Sequence, residues 1–180
     1  MRVITGSARG RKLKEPRDRR VRPTTDMVKE AMFNIIQFEV PEARVLDLFA
    51  GTGQLGIEAL SRGAAEAVFV DSDPDSLRLT RENLALTRLE ARAKVLRSDA
   101  LGYLRRGEKF DLVFLDPPYA TELLENAIEA AIGFDILRED GIMLCESRPE
   151  KALPDPARED YQKKEYQYGK IKLTVYRREG

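Results

Sequence analysis

Histidine and tryptophan are absent from this sequence of 180 residues, and cysteine occurs once. Without histidine, the chain cannot build a Ser-His-Asp triad or a Cys-His pair, and it lacks the commonest transition-metal ligand of proteins. A single cysteine excludes an internal disulfide and disfavours a zinc site, so we expect no metal. Cys145 lies in the apolar run GIMLCES, which is typical of a buried, unreactive thiol. Any chemistry must therefore use carboxylates, hydroxyls, backbone groups, cationic side chains or a borrowed cofactor.

Long hydrophobic runs are also missing. No apolar stretch approaches the ~20 residues of a transmembrane helix, and the basic N-terminal stretch has no apolar segment of the kind found in secretory signals. We therefore expect a cytoplasmic protein with no membrane partner. The length suits one domain, or one domain with an arm.

Charge is unevenly distributed, although the net charge is zero. Residues 1–22 hold nine Lys or Arg and two acids, a net charge of +7, so residues 23–180 carry −7. A basic arm (1–22) on an acidic domain (23–180) is typical of a protein that binds an anionic polymer. A solvated terminus or a small β-hairpin is the alternative for the arm. The basic residues assigned to polyanion binding are Arg9, Arg11, Lys12 and Arg22.

Apolar strands alternate with helical patterns along the domain. A helix capped at Thr24 or Thr25 precedes four strands, RVLDLFA, EAVFVD, AKVLRSDA and FDLVFLDPP, and each strand is followed by a helix, the last extending through FDIL. GIMLCESR, QKKEYQYG and KIKLTVYRR are the remaining strands. This order predicts an α/β fold: a mostly parallel seven-stranded sheet with helices on both faces, an antiparallel C-terminal edge and a small N-terminal hairpin.

The segment DLFAGTGQLG carries Gly51, Gly53 and Gly56 in the spacing G-x-G-x-x-G, after a strand and at the start of a helix. That is the context the pattern requires, because glycine permits a tight turn and lets a ligand approach the backbone. Asp71 ends the second strand, twenty residues after Gly51, where a carboxylate can accept both hydroxyls of a ribose. The first half of the chain therefore predicts a cofactor that contains a nucleoside.

Two cofactor classes fit this half, the dinucleotide of an oxidoreductase and the S-adenosylmethionine (SAM) of a methyltransferase. Asp47, four residues before Gly51, favours SAM, because a pyrophosphate would repel its carboxylate whereas the ammonium and sulfonium of SAM would attract it. Asp99 ends the third strand and can either accept from an adenine amine or cap the next helix. The adjacent residues assigned to the same site are Phe49, Thr52 and Ala100.

Asp116, Pro117, Pro118 and Tyr119 follow the fourth strand and suit neither a strand nor a helix. In a doubly wound order this strand lies beside the first, which predicts Asp116 in the crevice of the methyl donor. A carboxylate and the Pro117 carbonyl, held by the fixed φ of proline, can accept the N–H groups of an exocyclic amine. The Tyr119 ring can stack on a flipped base. We expect in-line methyl transfer driven mainly by positioning.

These segments, DLFAGTG, the acid after VFV, and DPPY, resemble class I SAM-dependent amino-methyltransferases. RGRKLKEP, VRPTTDMVKEAMFNII, GIEALSRGA and YGKIKLTVYR are similar to the RsmD family, the 16S rRNA (guanine(966)-N(2))-methyltransferases. The resemblance covers nearly the whole chain, and the RPTTD segment is far more specific than DPPY. Met27 and Asp71 stand where the family usually has Arg and Glu.

The resemblance implies a Rossmann-like class I methyltransferase that uses SAM to methylate the N2 amine of a guanine in ribosomal RNA. It implies a small-subunit assembly particle as the partner, and we expect a monomer. Asp116, Pro117 and Tyr119 would hold and stack the guanine. Arg22, Thr24 and Pro118 would contact the substrate near the cofactor mouth.

Three alternatives stay open at this point. A DNA adenine N6-methyltransferase would share DPPY, but 180 residues leave little room for a target-reading region. An NAD-dependent oxidoreductase would share the glycine turn and have no use for DPPY. The third is a non-catalytic RNA-binding module, which a single-turnover methylation assay would exclude.

Overall fold

The computed structural model describes residues 1–17, 24–118 and 122–180. Two residues assigned to the site from the sequence, Arg22 and Tyr119, lie outside the described residues. The predicted boundary between the arm and the domain, at residues 22 and 23, also lies outside them.

The strands of the described chain form one mixed sheet. They are β1 (Arg44–Leu48), β2 (Glu66–Asp71), β3 (Ala93–Arg97), β4 (Phe110–Leu115), β5 (Leu137–Ser147), β6 (Tyr161–Tyr168) and β7 (Ile171–Arg178). Their order is β3-β2-β1-β4-β5-β7-β6. The first five strands are parallel, whereas β7 runs antiparallel to both β5 and β6. The predicted sheet with an antiparallel C-terminal edge is thereby confirmed.

The helices begin where capping residues precede them. They are α1 (Asp26–Ile35), α2 (Gln54–Ser61), α3 (Pro74–Thr87), α4 (Ala100–Leu104) and α5 (Leu123–Gly133), with a 3-10 turn at Glu90–Arg92. The Thr25 side chain accepts a hydrogen bond from Val28 N at 3.3 Å and so starts α1, and Asp73 caps α3 in the same way. None of the helices in the described ranges is long and apolar enough to cross a membrane.

The helix that was predicted to extend through FDIL is shorter than expected. α5 ends at Gly133, and Asp135 adopts a left-handed φ of 51°, a conformation that no helix continues through. β5 then begins at Leu137 rather than at the predicted Gly141. The early part of β5 also pairs with β4, because Leu137 lies opposite Phe110. The register then shifts, so that Leu112 lies opposite Ile142.

The sheet separates two cores. Along β1, Val45 belongs to the core that α1 and α2 cover, whereas Leu46 and Leu48 belong to the core that α4 and α5 cover. Both faces are therefore apolar, which explains the nearly continuous hydrophobic strands. Cys145 is a buried free thiol in the second core, as predicted, and burial raises its pKa.

The N-terminal segment, residues 1–17, packs against the first core. An antiparallel bridge joins Arg2 to Lys12 and closes a small hairpin. The buried apolar residues of the segment are Val3, Ala8 and Leu13. Because these side chains are part of the core, the segment contributes to stability as well as carrying exposed basic residues.

Glu58 on α2 anchors this segment. Its carboxylate accepts hydrogen bonds from the backbone N–H groups of Ile4 (2.8 Å) and Thr5 (3.1 Å). It also pairs with Lys29 Nζ (3.4 Å) and Arg62 Nε (2.9 Å). Burial lowers the pKa of Lys29, and the charge of Glu58 opposes that shift. The buried charges are thus compensated by partners and by backbone donors, which such a pair requires.

Candidate active site

The sheet brings three carboxylates to one edge and one face. Asp47 on β1 pairs with Phe114 on β4, two residues before Asp116, and paired residues of parallel strands point to the same face. Asp116 and Glu146 each follow a paired position of β4 and β5. All three acids line one cavity at the carboxyl ends of the strands, which is where parallel sheets bind ligands.

The cavity has a volume of about 1240 Å³, more than the roughly 300–1,000 Å³ of a typical small-molecule site. The sequence-predicted residues that line it are Thr24, Asp47, Phe49, Gly51, Thr52, Asp71, Asp99, Ala100, Asp116, Pro117 and Pro118. The glycine turn and the acid-proline segment therefore open into the same space. Arg9, Arg11 and Lys12 lie instead on the exposed surface of the N-terminal segment.

The three glycines of the turn have different roles. Gly51 has a φ of 57° and lines the cavity. Gly53 precedes α2 with a φ of 80°, and a Cβ there would lie 2.9 Å from Thr80 Cγ2. A Cβ on Gly56 would lie 2.4 Å from Phe69 Cε1. Gly53 thus allows α3 to approach the start of α2, Gly56 allows α2 to pack closely on β2, and Gly51 keeps the backbone accessible.

Asp71 joins the end of β2 to this turn through hydrogen bonds. Its Oδ2 accepts a hydrogen bond from Gly51 N at 2.9 Å, and its Oδ1 accepts one from Asp73 N at 3.0 Å. Each carboxylate oxygen keeps a further lone pair, so Asp71 can still accept from a diol in the cavity. The neighbouring Phe49 has a φ of 67°, a strained conformation that costs roughly 1–3 kcal/mol and is commonest at functional sites.

Asp47 and Gln54 form the buried end of the cavity. Asp47 is 2% exposed and accepts from Gly56 N at 3.0 Å. Burial raises its pKa to about 7, helped by the charge of Asp71 and opposed by the Gly56 hydrogen bond. Gln54, in the first turn of α2, is 6% exposed, and its Oε1 has no hydrogen-bond partner among the described residues. The buried end of the cavity therefore holds a carboxylate and an unpartnered amide oxygen, both of which can accept hydrogen bonds.

Asp99 caps α4, because its Oδ1 accepts a hydrogen bond from Gly102 N. The capping role that the sequence allowed is thus confirmed. Asp99 also lines the cavity together with Ser98. Its second oxygen is available for a ligand amine, so that role stays a prediction.

Thr24, Asp116 and Glu146 form a second polar group in the lining of the cavity. The Thr24 hydroxyl lies 2.6 Å from Asp116 Oδ2 and 3.3 Å from Glu146 Oε2. Burial and the negative charge of Glu146 raise the pKa of Asp116 well above its ordinary range, and the Thr24 hydrogen bond opposes that shift. The charge of Asp47 adds to the increase. Pro117 is buried beside this group and Pro118 is exposed at the rim.

Sequence reasoning missed Glu146 and Gln54. Asp116 and Glu146 are the residues that follow the paired positions of β4 and β5. Aligning the predicted strands in register would therefore have revealed Glu146. Gln54 is one of the variable positions of the glycine pattern, and only its burial singles it out. Across the described residues, no group of His, Cys, Asp and Glu could hold a metal ion.

A family described as conserved hypothetical protein 95 matches residues 1–177. The chain belongs to this family. The Ribosomal RNA small subunit methyltransferase D of Escherichia coli is 37% identical over 180 residues, which cover 99% of this chain and 90% of that protein. YlbH of Bacillus subtilis, named a candidate rRNA methyltransferase, is 39% identical over 184 residues, which cover 100% of both chains.

Solved structures agree with the family assignment. The candidate methyltransferase yhhF of Escherichia coli superposes with a TM-score of 0.88 at 35% identity, covering 100% of this chain and 98% of that one. Hypothetical protein TTHA0928 of Thermus thermophilus superposes with a TM-score of 0.83 at 30% identity, covering 97% and 98%. The family has the Rossmann-like fold of methyltransferases.

Proposed function

We propose that this protein is a SAM-dependent methyltransferase that modifies the exocyclic N2 amine of a guanine in small-subunit ribosomal RNA. One observation carries the proposal: the glycine turn after β1 and the Asp116-Pro117-Pro118 segment after β4 line the same cavity. The relative named Ribosomal RNA small subunit methyltransferase D supports ribosomal RNA as the substrate. The resemblance of the RPTTD segment supports the guanine amine.

The donor and acceptor groups of the cavity suit SAM. The acceptors at its buried end, Asp47 and the unpartnered Gln54 Oε1, fit the ammonium group of the methionine part. Asp71 fits the ribose hydroxyls, and Asp99 fits the adenine amine. When bound, SAM supplies a methyl group made electrophilic by a positively charged sulfur.

Asp116 and Pro117 hold the acceptor amine. The Asp116 carboxylate and the Pro117 carbonyl accept its two N–H groups, which directs the nitrogen lone pair away from the ring and towards the donor. The amine must lose a proton when it is methylated, and Asp116 is the acceptor already bonded to it. This chemistry depends on positioning and needs no histidine and no metal.

The base reaches this cavity by leaving its stack. Extruding a base costs a few kcal/mol, which stacking on an aromatic ring offsets. We assign that stacking to Tyr119, which follows the exposed Pro118 at the rim. Arg22 would contact the backbone beside it.

The basic residues of the N-terminal segment would bind the surrounding RNA. Arg9, Arg11 and Lys12 are exposed, and residues 1–22 carry a net charge of +7. We therefore keep the division into an RNA-contacting segment, residues 1–22, and a catalytic domain, residues 23–180. The substrate would be a small-subunit particle during assembly in the cytoplasm, bound by a monomer.

Mapping the methyl group tests the proposal. The protein is incubated with isotopically labelled SAM and with small-subunit rRNA, naked or in particles, from a strain that lacks the enzyme. Nuclease digestion and mass spectrometry are expected to find N2-methylguanosine at one position. Labelled N6-methyladenosine, labelled DNA, or binding of NADH in place of SAM would contradict it.

The Asp116→Ala variant is expected to bind SAM normally and to transfer no methyl group. Asp155→Ala is the matched control, because Asp155 is 92% exposed. If Asp116→Ala lost SAM affinity and kept turnover, the role given to Asp116 would be wrong.

A further inference from the structure

Glu146 is a second carboxylate at the amine-binding end of the cavity. It lies near the end of β5, is 5% exposed and lines the cavity. Its Oε2 and Asp116 Oδ2 are both within 3.3 Å of the Thr24 hydroxyl. The two carboxyl groups therefore stand side by side and present neighbouring acceptors to the same space.

A second acid at this position carries an energetic cost. Two residues earlier on the same face of β5, Leu144 contributes to the hydrophobic core, and an apolar residue could equally fill position 146. Instead, Glu146 adds negative charge beside Asp116, and a buried charge is costly to retain. A costly carboxylate in a binding cavity is a candidate for function.

The bases that carry an exocyclic amine differ at the ring nitrogen next to it. In guanine, the ring N1 beside the amine carries a hydrogen and donates, whereas adenine N1 and cytosine N3 are acceptors. A flipped base is read through hydrogen bonds to this edge. Carboxylate oxygens accept hydrogen bonds, so Asp116 and Glu146 together offer an acceptor to each of the two adjacent donors of guanine. In adenine or cytosine, a ring lone pair would instead face one of these acceptors.

We propose that Glu146 accepts a hydrogen bond from the ring N1–H of the target guanine and thereby determines base specificity. This inference rests on the proposed function. The DPPY segment holds the amine that receives the methyl group, and Glu146 identifies the base that carries the amine. A site built to bond a donor discriminates strongly against an analogue that lacks it, because its own polar group is left unpaired.

A change of the target base tests this inference. Small-subunit rRNA is ligated from fragments so that the target guanine is replaced by 2-aminopurine, which keeps the amine, lacks the carbonyl oxygen O6 and has an acceptor at N1. The ratio of kcat/KM for guanine to that for 2-aminopurine is measured for the wild-type enzyme and for Glu146→Gln. Glu139→Gln, an exposed acid at the other end of β5, is the matched control.

The wild-type ratio is expected to be at least about 30-fold, and Glu146→Gln is expected to reduce it about tenfold. Glu139→Gln is expected to keep the wild-type ratio. A wild-type enzyme that methylates both bases equally well overturns the inference without any variant, as does a Glu146→Gln ratio equal to that of the wild type. Absence of transfer to guanine RNA would instead contradict the proposed function.

Discussion

The Thr24 hydroxyl donates a hydrogen bond to Asp116 Oδ2 at 2.6 Å, across 92 residues of sequence. This bond joins the RPTTD segment to the DPPY segment. It stabilises the ionised form of Asp116, whereas burial and the charge of Glu146 favour the protonated form. Thr24 and Glu146 thus shift the pKa of one carboxylate in opposite directions.

The first prediction concerns the pH dependence of methyl transfer. Asp116 must be ionised to accept from the amine, so kcat/KM falls as the pH decreases through the raised pKa of Asp116. Glu146→Gln removes a negative charge and is expected to move this acid limb to lower pH. Thr24→Val removes the hydrogen bond and is expected to move it to higher pH. Initial rates across a pH series would measure both shifts of the acid limb. Shifts in the same direction for the two variants would contradict the opposite effects assigned to Thr24 and Glu146.

The second prediction concerns SAM affinity and Asp47. Its pKa is raised to about 7 in the free protein, and a bound ammonium favours the ionised carboxylate. Binding therefore releases a proton, and affinity is expected to increase between about pH 6 and pH 8 and then to level off. Titration calorimetry in buffers of different ionisation enthalpy measures the released proton. The Asp47→Asn variant should bind SAM more weakly, and its affinity should not change with pH in this range. An unchanged pH dependence would show that Asp47 is not the group that releases the proton.

The third prediction concerns Gln54. If its Oε1 accepts from SAM, Gln54→Ala should raise the Kd of SAM about tenfold, since a hydrogen bond to a charged group contributes about 1.5 kcal/mol. Gln37→Ala, at an exposed position, is the control and should bind as the wild type does. Equal Kd values for the two variants would show that Gln54 does not contribute to SAM binding.

Parts of the site were predictable because the sheet gathers strand ends. Asp47 precedes the glycine turn, and Asp71 and Asp116 each end an apolar strand before a turn signal, so the predicted order of strands placed them together. Glu146 was missed because GIMLCESR has no turn signal after the acid. Gln54 was missed because a polar residue in the first turn of a helix usually faces solvent, and its burial arises from tertiary packing.

The N-terminal segment was less predictable for a different reason. Val3, Ala8 and Leu13 are spaced five residues apart, which matches neither the period of a helix nor that of a strand. Their burial depends on Glu58, Ser61 and Asn83, which bond the segment from distant positions. The charge pattern of the segment was visible in the sequence, but its attachment to the core was not.

The fourth prediction follows from that attachment. Lys29→Met leaves the buried Glu58 with less positive charge, which is expected to lower the free energy of unfolding by about 3 kcal/mol. Urea denaturation measures the change, and Lys94→Met, at an exposed site, should leave it within about 0.5 kcal/mol. The double variant with Glu58→Gln should recover part of the loss, because it removes the uncompensated charge. A loss that grows in the double variant would contradict this account.

The fifth prediction separates RNA binding by the N-terminal segment from its structural role. Deleting the segment would remove core residues, so the informative change is to replace only Arg9, Arg11 and Lys12 with serine. Affinity is expected to fall for small-subunit rRNA and, to a similar extent, for RNA of other sequences. The slope of log affinity against log salt should decrease by about one for each phosphate that the variant no longer neutralises.

The control for this variant carries the same change in net charge elsewhere. Its three substituted residues are the exposed Arg81, Lys94 and Lys164. Because both variants have the same net charge, general attraction to RNA changes equally, and any difference in slope belongs to the N-terminal segment. Thermal unfolding should show both variants folded, since none of the replaced side chains is buried. Equal slopes for the two variants would remove Arg9, Arg11 and Lys12 from the RNA-binding surface.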